Sequence, residues 1–304
     1  MTHDVQVIEN DFWQIGILPQ TGASTAFGRI KHNGQWVDVF RPTDPADYDN
    51  SSNCASFLLV PWSNRIRDGR FDFDGKTVQL DARADGNAIH GVVRDLPWTV
   101  DSVDQTHIQL SFDSANHNTL NFPFAFQSTA TFRLQDNKFL MLLSLKNTDN
   151  RPFPAGFGHH PYFVRTINGD EVQVEIPCDR MFELTDKMAD AAPVPVTDRL
   201  DFRKAKPLGS AEIDNILTGK DNNQPVRLIY ADNGFELHLN SGDIFKHIIL
   251  YAPDGKPFYA VEPVSNTNDG FNLFAKGIAG SGVFVLKPNE ETNGAFVIDL
   301  HTTP

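Results

Sequence analysis

Apolar and polar residues alternate along most of this chain with a period of two. Phe126, Ser128, Ala130, Phe132 and Leu134 interleave with Gln127, Thr129, Thr131 and Arg133. Successive side chains of a strand point to opposite faces, so this spacing predicts a strand with one buried face. A polar turn over residues 135–138 and an apolar run over 139–145 extend it into a hairpin. Phe71 and Phe73 alternate with Asp72 and Asp74, and Asp74-Gly75 turns the chain into residues 77–80; Asp-Gly between alternating segments is the strongest short hairpin signal.

The pattern recurs. Val172, Val174 and Ile176 alternate with Glu171, Gln173 and Glu175, and Phe235, Leu237 and Leu239 alternate with Glu236, His238 and Asn240. Residues 248–252, the turn Pro253-Asp254-Gly255 and residues 258–261 make a further pair, while 283–286 with 295–300 are expected to close the sheet. Only residues 211–217 carry even a weak helical spacing. Parallel sheets need crossover connections, usually helices, so the pattern leaves an all-β antiparallel sandwich or a closed barrel with very little helix. The 19 prolines and 21 glycines suit many turns between short strands. Neither repeat nor linker divides the chain, and residues 1–304 are expected to form a single domain.

Charge narrows the partners. With 39 acidic against 26 basic residues the net charge is −13, which repels phosphate backbones and anionic lipid, so neither nucleic acid nor membrane is an expected partner. Residues 1–20 are interrupted by Asp4, Glu9, Asn10 and Asp11 and show neither a signal peptide nor a membrane span, which leads us to expect a soluble, cytoplasmic protein. Cys54 and Cys178 match no zinc or redox spacing and read as small buried hydrophobes.

Four short stretches bring chemistry: Asn64-Arg65-Ile66, Asn87-Ala88-Ile89-His90-Gly91, Gly158-His159-His160-Pro161-Tyr162-Phe163 and Val261-Glu262-Pro263. Glu262 ends the strand-like run before a proline, where a side chain can face a cleft as a base; taken alone, a glutamate is more often an exposed carboxylate. Of His159 and His160 only one can face a given pocket, since neighbours on a strand point opposite ways. The bland reading is one core and one surface histidine. Adjacent histidines rarely converge on one ion, so no metal is expected. Arg65, Arg67 and Arg70 read either as a solvated turn or as a guanidinium fork for sugar hydroxyls or a carboxylate. Trp62 and Trp98 could offer flat apolar faces to a pyranose, although tryptophan is more often core.

In their order and spacing these motifs carry a family likeness. The chain resembles the aldose 1-epimerases, or galactose mutarotases, over nearly its whole length. The matches are Asn64-Arg65-Ile66 with Gly69, Phe71 and Asp74-Gly75; Asn87, Ile89, His90 and Gly91 with Trp98; His160-x-Tyr162-Phe163; Ile213-Asp214; Val261-Glu262-Pro263 with Asp269 and Asn272; and Leu286-Lys287-Pro288. The resemblance implies a large antiparallel β-sandwich of the galactose mutarotase-like supersandwich type. It implies Glu262 as general base and His160 as general acid, with Arg65, His90 and Asp214 binding sugar hydroxyls and Asn64 and Tyr162 beside them. It departs from the family pattern at Val92-Val93 after Gly91, at Asn289 after Pro288 and at Gly158-His159 before His160, which bears on sugar preference.

The chemistry suits such a pair. A cyclic hemiacetal exchanges anomers when its C1 hydroxyl loses a proton while the ring oxygen gains one; the ring opens, C1 rotates and closure reverses the transfers. Each positioned proton transfer contributes about 10² to 10⁴ in rate, roughly 3 to 5.5 kcal/mol. No cofactor is expected, the partner is a small hexose or pentose, and the protein is expected to be a monomer or homodimer. A phosphorylated or sulfonated sugar would need a cationic clamp, for which Arg67, Arg70, Arg94 and Arg165 are candidates. A glycoside hydrolase using Asp214 with Glu262, and a non-catalytic sugar-binding module, are the readings from other classes.

Overall fold

A computed structural model describes residues 4–302. Strand pairing is antiparallel almost throughout and, among the described residues, forms two large sheets, one of four strands and five two-stranded ribbons. A nine-stranded sheet runs in the order Thr99–Val103, His107–Asp113, Phe126–Gln135, Lys138–Asn147, Glu291–Thr302, Phe235–Ser241, Val226–Tyr230, Gln173–Glu175 and Lys206–Pro207. An eight-stranded sheet includes Cys178–Met181, Ile213–Lys220, His247–Ala252, Phe258–Val264, Gly158–His159 and Leu58–Leu59, with Tyr162–Val164 added beside Phe258–Val264. The N-terminal strands Gln6–Glu9, Trp13–Leu18, Ser24–His32 and Gln35–Asp38 make a four-stranded sheet.

One apolar cluster extends from Ile8 to Leu300 and joins the inner faces of these sheets. The alternation read from Phe126 to Leu134 is what builds it: the even-numbered residues are buried, as are Phe139, Met141, Leu143 and Leu145 on the next strand. Aromatic contacts cross between layers, with Phe40 against Phe139 and His159 against Phe296. Tyr230, on the nine-stranded sheet, donates to the Val164 carbonyl of the other at 2.5 Å. The architecture is a β-sandwich, and not a closed barrel; among the described residues the α-helix is confined to Gly270–Ala275.

Three expectations change. Residues 211–217 are not helical: Ile213–Lys220 is an interior strand of the eight-stranded sheet. Ile216 faces a small cluster with Ile249, while Leu217 faces the main core. A strand buried on both faces loses its alternation, and the apolar spacing of Ile213, Ile216 and Leu217 then imitates a helix. Next, Phe284–Leu286 does not share a sheet with the C-terminal strand; it pairs with Phe153–Ala155, whereas Glu291–Thr302 fills the middle of the nine-stranded sheet. Finally, Glu262 is not at a strand end, because its strand continues through Pro263 to Val264.

A candidate active site on the outer face of the eight-stranded sheet

Register decides which side chains meet. Asp214 pairs with Tyr251, Ile249 with Glu262, and Tyr251 and Tyr162 both pair with Ala260. Residues directly opposite, or two apart on one strand, share a face. Asp214, Tyr251, Glu262 and Tyr162 therefore stand on the same side, opposite the main core and beside the small apolar cluster of Phe57, Ile216, Ile249 and Val264.

His160 joins them through a broken ladder. Gly158 pairs with Val264 and Tyr162 with Ala260, so the same register sets His160 directly across from Glu262. The named strands break at His160-Pro161 and resume at Tyr162. Pro161 and Pro263 lack an N–H to donate there, and the side chains close the gap instead. His160 Nε2 lies 3.2 Å from Glu262 Oε1, with both side chains buried. His159, one residue earlier, points the other way between Phe245 and Phe296. Both histidines are thus buried, and neither is on the surface.

The cavity in front of this pair measures about 190 Å³ and is lined by Asn64, Arg65, His90, His160, Tyr162, Lys187, Asp214, Tyr251 and Glu262. All seven residues singled out from the sequence meet here. Asn64 and His90 adopt left-handed backbone conformations, with φ of 53° and 62°; such strain is retained where surrounding structure fixes a functional position. Gly91 does the fixing: its φ is +67°, and a Cβ there would sit 1.9 Å from the Val60 carbonyl oxygen, so only glycine fits. The His90 N–H donates to the Asn64 carbonyl at 2.9 Å. Arg65 is held by Asp85 at 2.9 Å. Asp269 braces the same loop, donating its N–H to the Arg65 carbonyl and accepting from the Arg67 N–H and the Asn272 amide.

Electrostatics sets the protonation of the pair. Burial pushes the Glu262 carboxyl well above the usual range, and Asp214 adds to the rise while Arg65 opposes it. Burial pulls the His160 imidazole down to about 3, helped by Arg41 and Arg94. His90 is held well below its ordinary value by burial, then by His160 and nearby arginines, and burial raises Asp214. Burial thus works against charge on both members of the pair. Glu262 Oε2, His160 Nδ1 and His90 Nδ1 have no protein hydrogen-bond partner, so this polar site is only partly satisfied by the chain itself.

Other candidates fall outside the cavity. Trp62 and Trp98 are 1% and 2% exposed and pack on Phe122 and Phe112, so they are core and offer no platform to the cavity. Arg67 is tied to Asp190 and Asp269, Arg165 to Glu171 and the Gly209 carbonyl, and Arg70 is exposed. Among the described residues no group of three or more His, Cys, Asp or Glu is placed to hold a metal ion, and no helix is long and apolar enough to cross a membrane.

Sequence reasoning missed Tyr251, Lys187 and Phe57. Tyr251 was within reach, since it lies two residues from Ile249 on the strand facing Glu262. Lys187 was not. It occupies a two-residue turn with Asp186, at φ of 67° and 50°, a conformation that usually calls for glycine or asparagine.

A family model described as aldose 1-epimerase matches residues 18–299. An uncharacterised protein of Escherichia coli K12, YihR, is 23% identical over 221 residues, 71% of each chain. Among solved structures, a galactose mutarotase-like protein from Clostridium acetobutylicum superimposes with a TM-score of 0.86 at 20% identity, covering 99% of this chain and 96% of that one. An aldose epimerase homologue from C. elegans gives 0.83 at 19%, covering 99% and 100%.

Proposed function

Because this chain belongs to the aldose 1-epimerase family, we propose that it interconverts the α and β anomers of a free aldose, with Glu262 and His160 as the acid/base pair. The observation that carries this reading is the 3.2 Å contact between His160 Nε2 and Glu262 Oε1 at the base of a polar cavity. The two oxygens that exchange protons in anomerisation are bonded to the same carbon. Their partners must therefore be neighbours, and an adjacent carboxylate and imidazole meet that demand.

The proton balance closes on one shared proton. Ring opening starts from carboxylate and imidazolium: Glu262 takes the C1 hydroxyl proton as His160 protonates the ring oxygen, the C1–O5 bond breaks, and the neutral pair is left beside the open-chain aldehyde. Rotation about C1–C2 exposes the other carbonyl face; closure returns the protons. Arg65, His90, Asn64, Asp214 and Tyr162 bind and orient the hydroxyls, and Tyr251 joins them. Residues 1–304 act as one domain in this account, without metal or dinucleotide.

A sugar carrying an anionic substituent is the second reading, on one observation: Lys187 lines the cavity mouth with no carboxylate in ion-pair distance among the described residues. Exchange NMR of a panel of free aldoses and a hexose 6-phosphate, with and without protein, separates the two. Faster anomer exchange of any free aldose supports the first reading; acceleration of the phosphate alone supports the second, and none at all refutes both.

A further inference from the structure

His160 sits in a cage whose aromatic walls themselves contact cations. The Phe57 ring stacks on the imidazole at 4.4 Å and 27°, the Tyr162 ring stands at 4.5 Å, and His90 approaches edge-on at 5.4 Å. The Arg41 guanidinium lies 3.8 Å over the Tyr162 ring, and that of Arg94 lies 5.3 Å from the Phe57 ring. Backbone contacts tie the same residues: the Arg41 N–H donates to the Tyr162 carbonyl at 2.8 Å, and the His160 N–H donates to the Phe57 carbonyl at 3.0 Å.

These cations are poorly neutralised. Among the described residues Arg41 has no carboxylate within ion-pair distance. Its Nη2 reaches the Cys54 and Ser52 carbonyls at 2.6 and 3.1 Å, and its buried Nε has no partner. Arg94 meets only Asp95, at 3.5 Å, and Asp95 is shared with Ser51 and Arg83. Burying a guanidinium without a paired carboxylate is costly, and a core of this size could fill both places with apolar side chains. Cation–π contact recovers part of the cost. What an apolar residue could not supply is the field.

We propose that Arg41 and Arg94 are positioning residues for His160, fixing the aromatic walls of its cage and setting the field in which it shares a proton with Glu262. This rests on the acid/base reading above. The charged and titratable groups around the imidazole are Glu262 at 3.2 Å, His90, Tyr162 and the two guanidiniums. Both arginines oppose imidazolium, in the same direction as burial. An imidazolium held in that field gives its proton up more readily, and a pyranose ring oxygen, a weak base, needs a strong acid.

The test is NMR titration of the His160 imidazole in labelled, ligand-free protein, with the signal assigned from His160→Asn. Arg41→Met and Arg94→Met should each raise its midpoint by roughly half a unit to one unit. They should leave KM little changed, since the acid and not the binding surface is altered. Arg41→Lys keeps the charge and should hold the midpoint near that of the unaltered protein. Should Arg41→Met fail to fold, Arg94→Met alone carries the expectation. Unmoved midpoints in the methionine variants that fold, or an equal rise in Arg41→Lys, would overturn the proposal. The titration needs no turnover: a protein whose midpoint moves as expected but which never exchanges anomers contradicts the epimerase reading and leaves the electrostatic one standing.

Discussion

His159 and His160 are neighbours in sequence and face opposite sides of one sheet, the first between Phe245 and Phe296 and the second against Glu262. Neither ring nitrogen of His159 has a hydrogen-bond partner, and burial lowers its imidazole to about 3, as it does for His160 and His247. An imidazole depressed in the folded state is protonated first in the unfolded chain. Its contribution to stability is present above about pH 6.5 and is lost as pH falls toward about 3. His159→Phe, which fills the same space without titrating, should flatten the fall of Tm between about pH 6.5 and 4. Scanning calorimetry across that range checks it, and parallel curves for the two proteins would contradict it.

The opposed shifts of Glu262 and His160 have their own signature. With unperturbed groups, the carboxylate and imidazolium would coexist only between about pH 4.3 and 6.5, and activity would fall above that window. With Glu262 raised and His160 lowered, the singly protonated pair persists above it. We expect kcat/KM at about pH 7.5 to lie within roughly twofold of its value at about pH 5.5. A fall with a midpoint near the ordinary histidine value would contradict these shifts for the pair.

Gly91 and His90 should separate stability from binding. Gly91→Ala forces a Cβ into the Val60 carbonyl at a left-handed φ, and should cost at least about 2 kcal/mol in denaturant unfolding. His90→Asn keeps the backbone and should leave stability within about 1 kcal/mol while raising KM.

Removing either member of the acid/base pair should be felt in turnover. Glu262→Gln and His160→Asn should each lower kcat by at least about 10², and the double variant should be little worse than the poorer single, because the two act as a unit. Multiplying losses in steady-state kinetics would argue for independent roles.

Much of this was legible in the sequence, for identifiable reasons. Strands with one wet face advertise themselves, as the run from Phe126 to Leu134 and the turn at Asp74-Gly75 do. Ile213–Lys220 did not, because both its faces are covered. The seven site residues carried motif context, and register then brought them to one cavity. Arg41, Phe57 and Lys187 carried none: they reach the site from connecting segments and a glycine-free turn, and only the packed fold relates them to His160. The tryptophans took the role that is commoner for them, and the core claimed both.

The central claim is that one buried carboxylate and one buried imidazole open and close a hemiacetal ring. Polarimetry of freshly dissolved α-glucose, α-galactose and α-xylose, with the unaltered protein and Glu262→Gln at equal concentration and after exhaustive chelation, tests it most directly. The account predicts that the unaltered protein accelerates the optical change of at least one of these sugars, that chelation leaves this unaffected, and that Glu262→Gln lowers the rate by about 10² or more while still binding the sugar. No acceleration of any aldose, or near-normal turnover in Glu262→Gln, would contradict it.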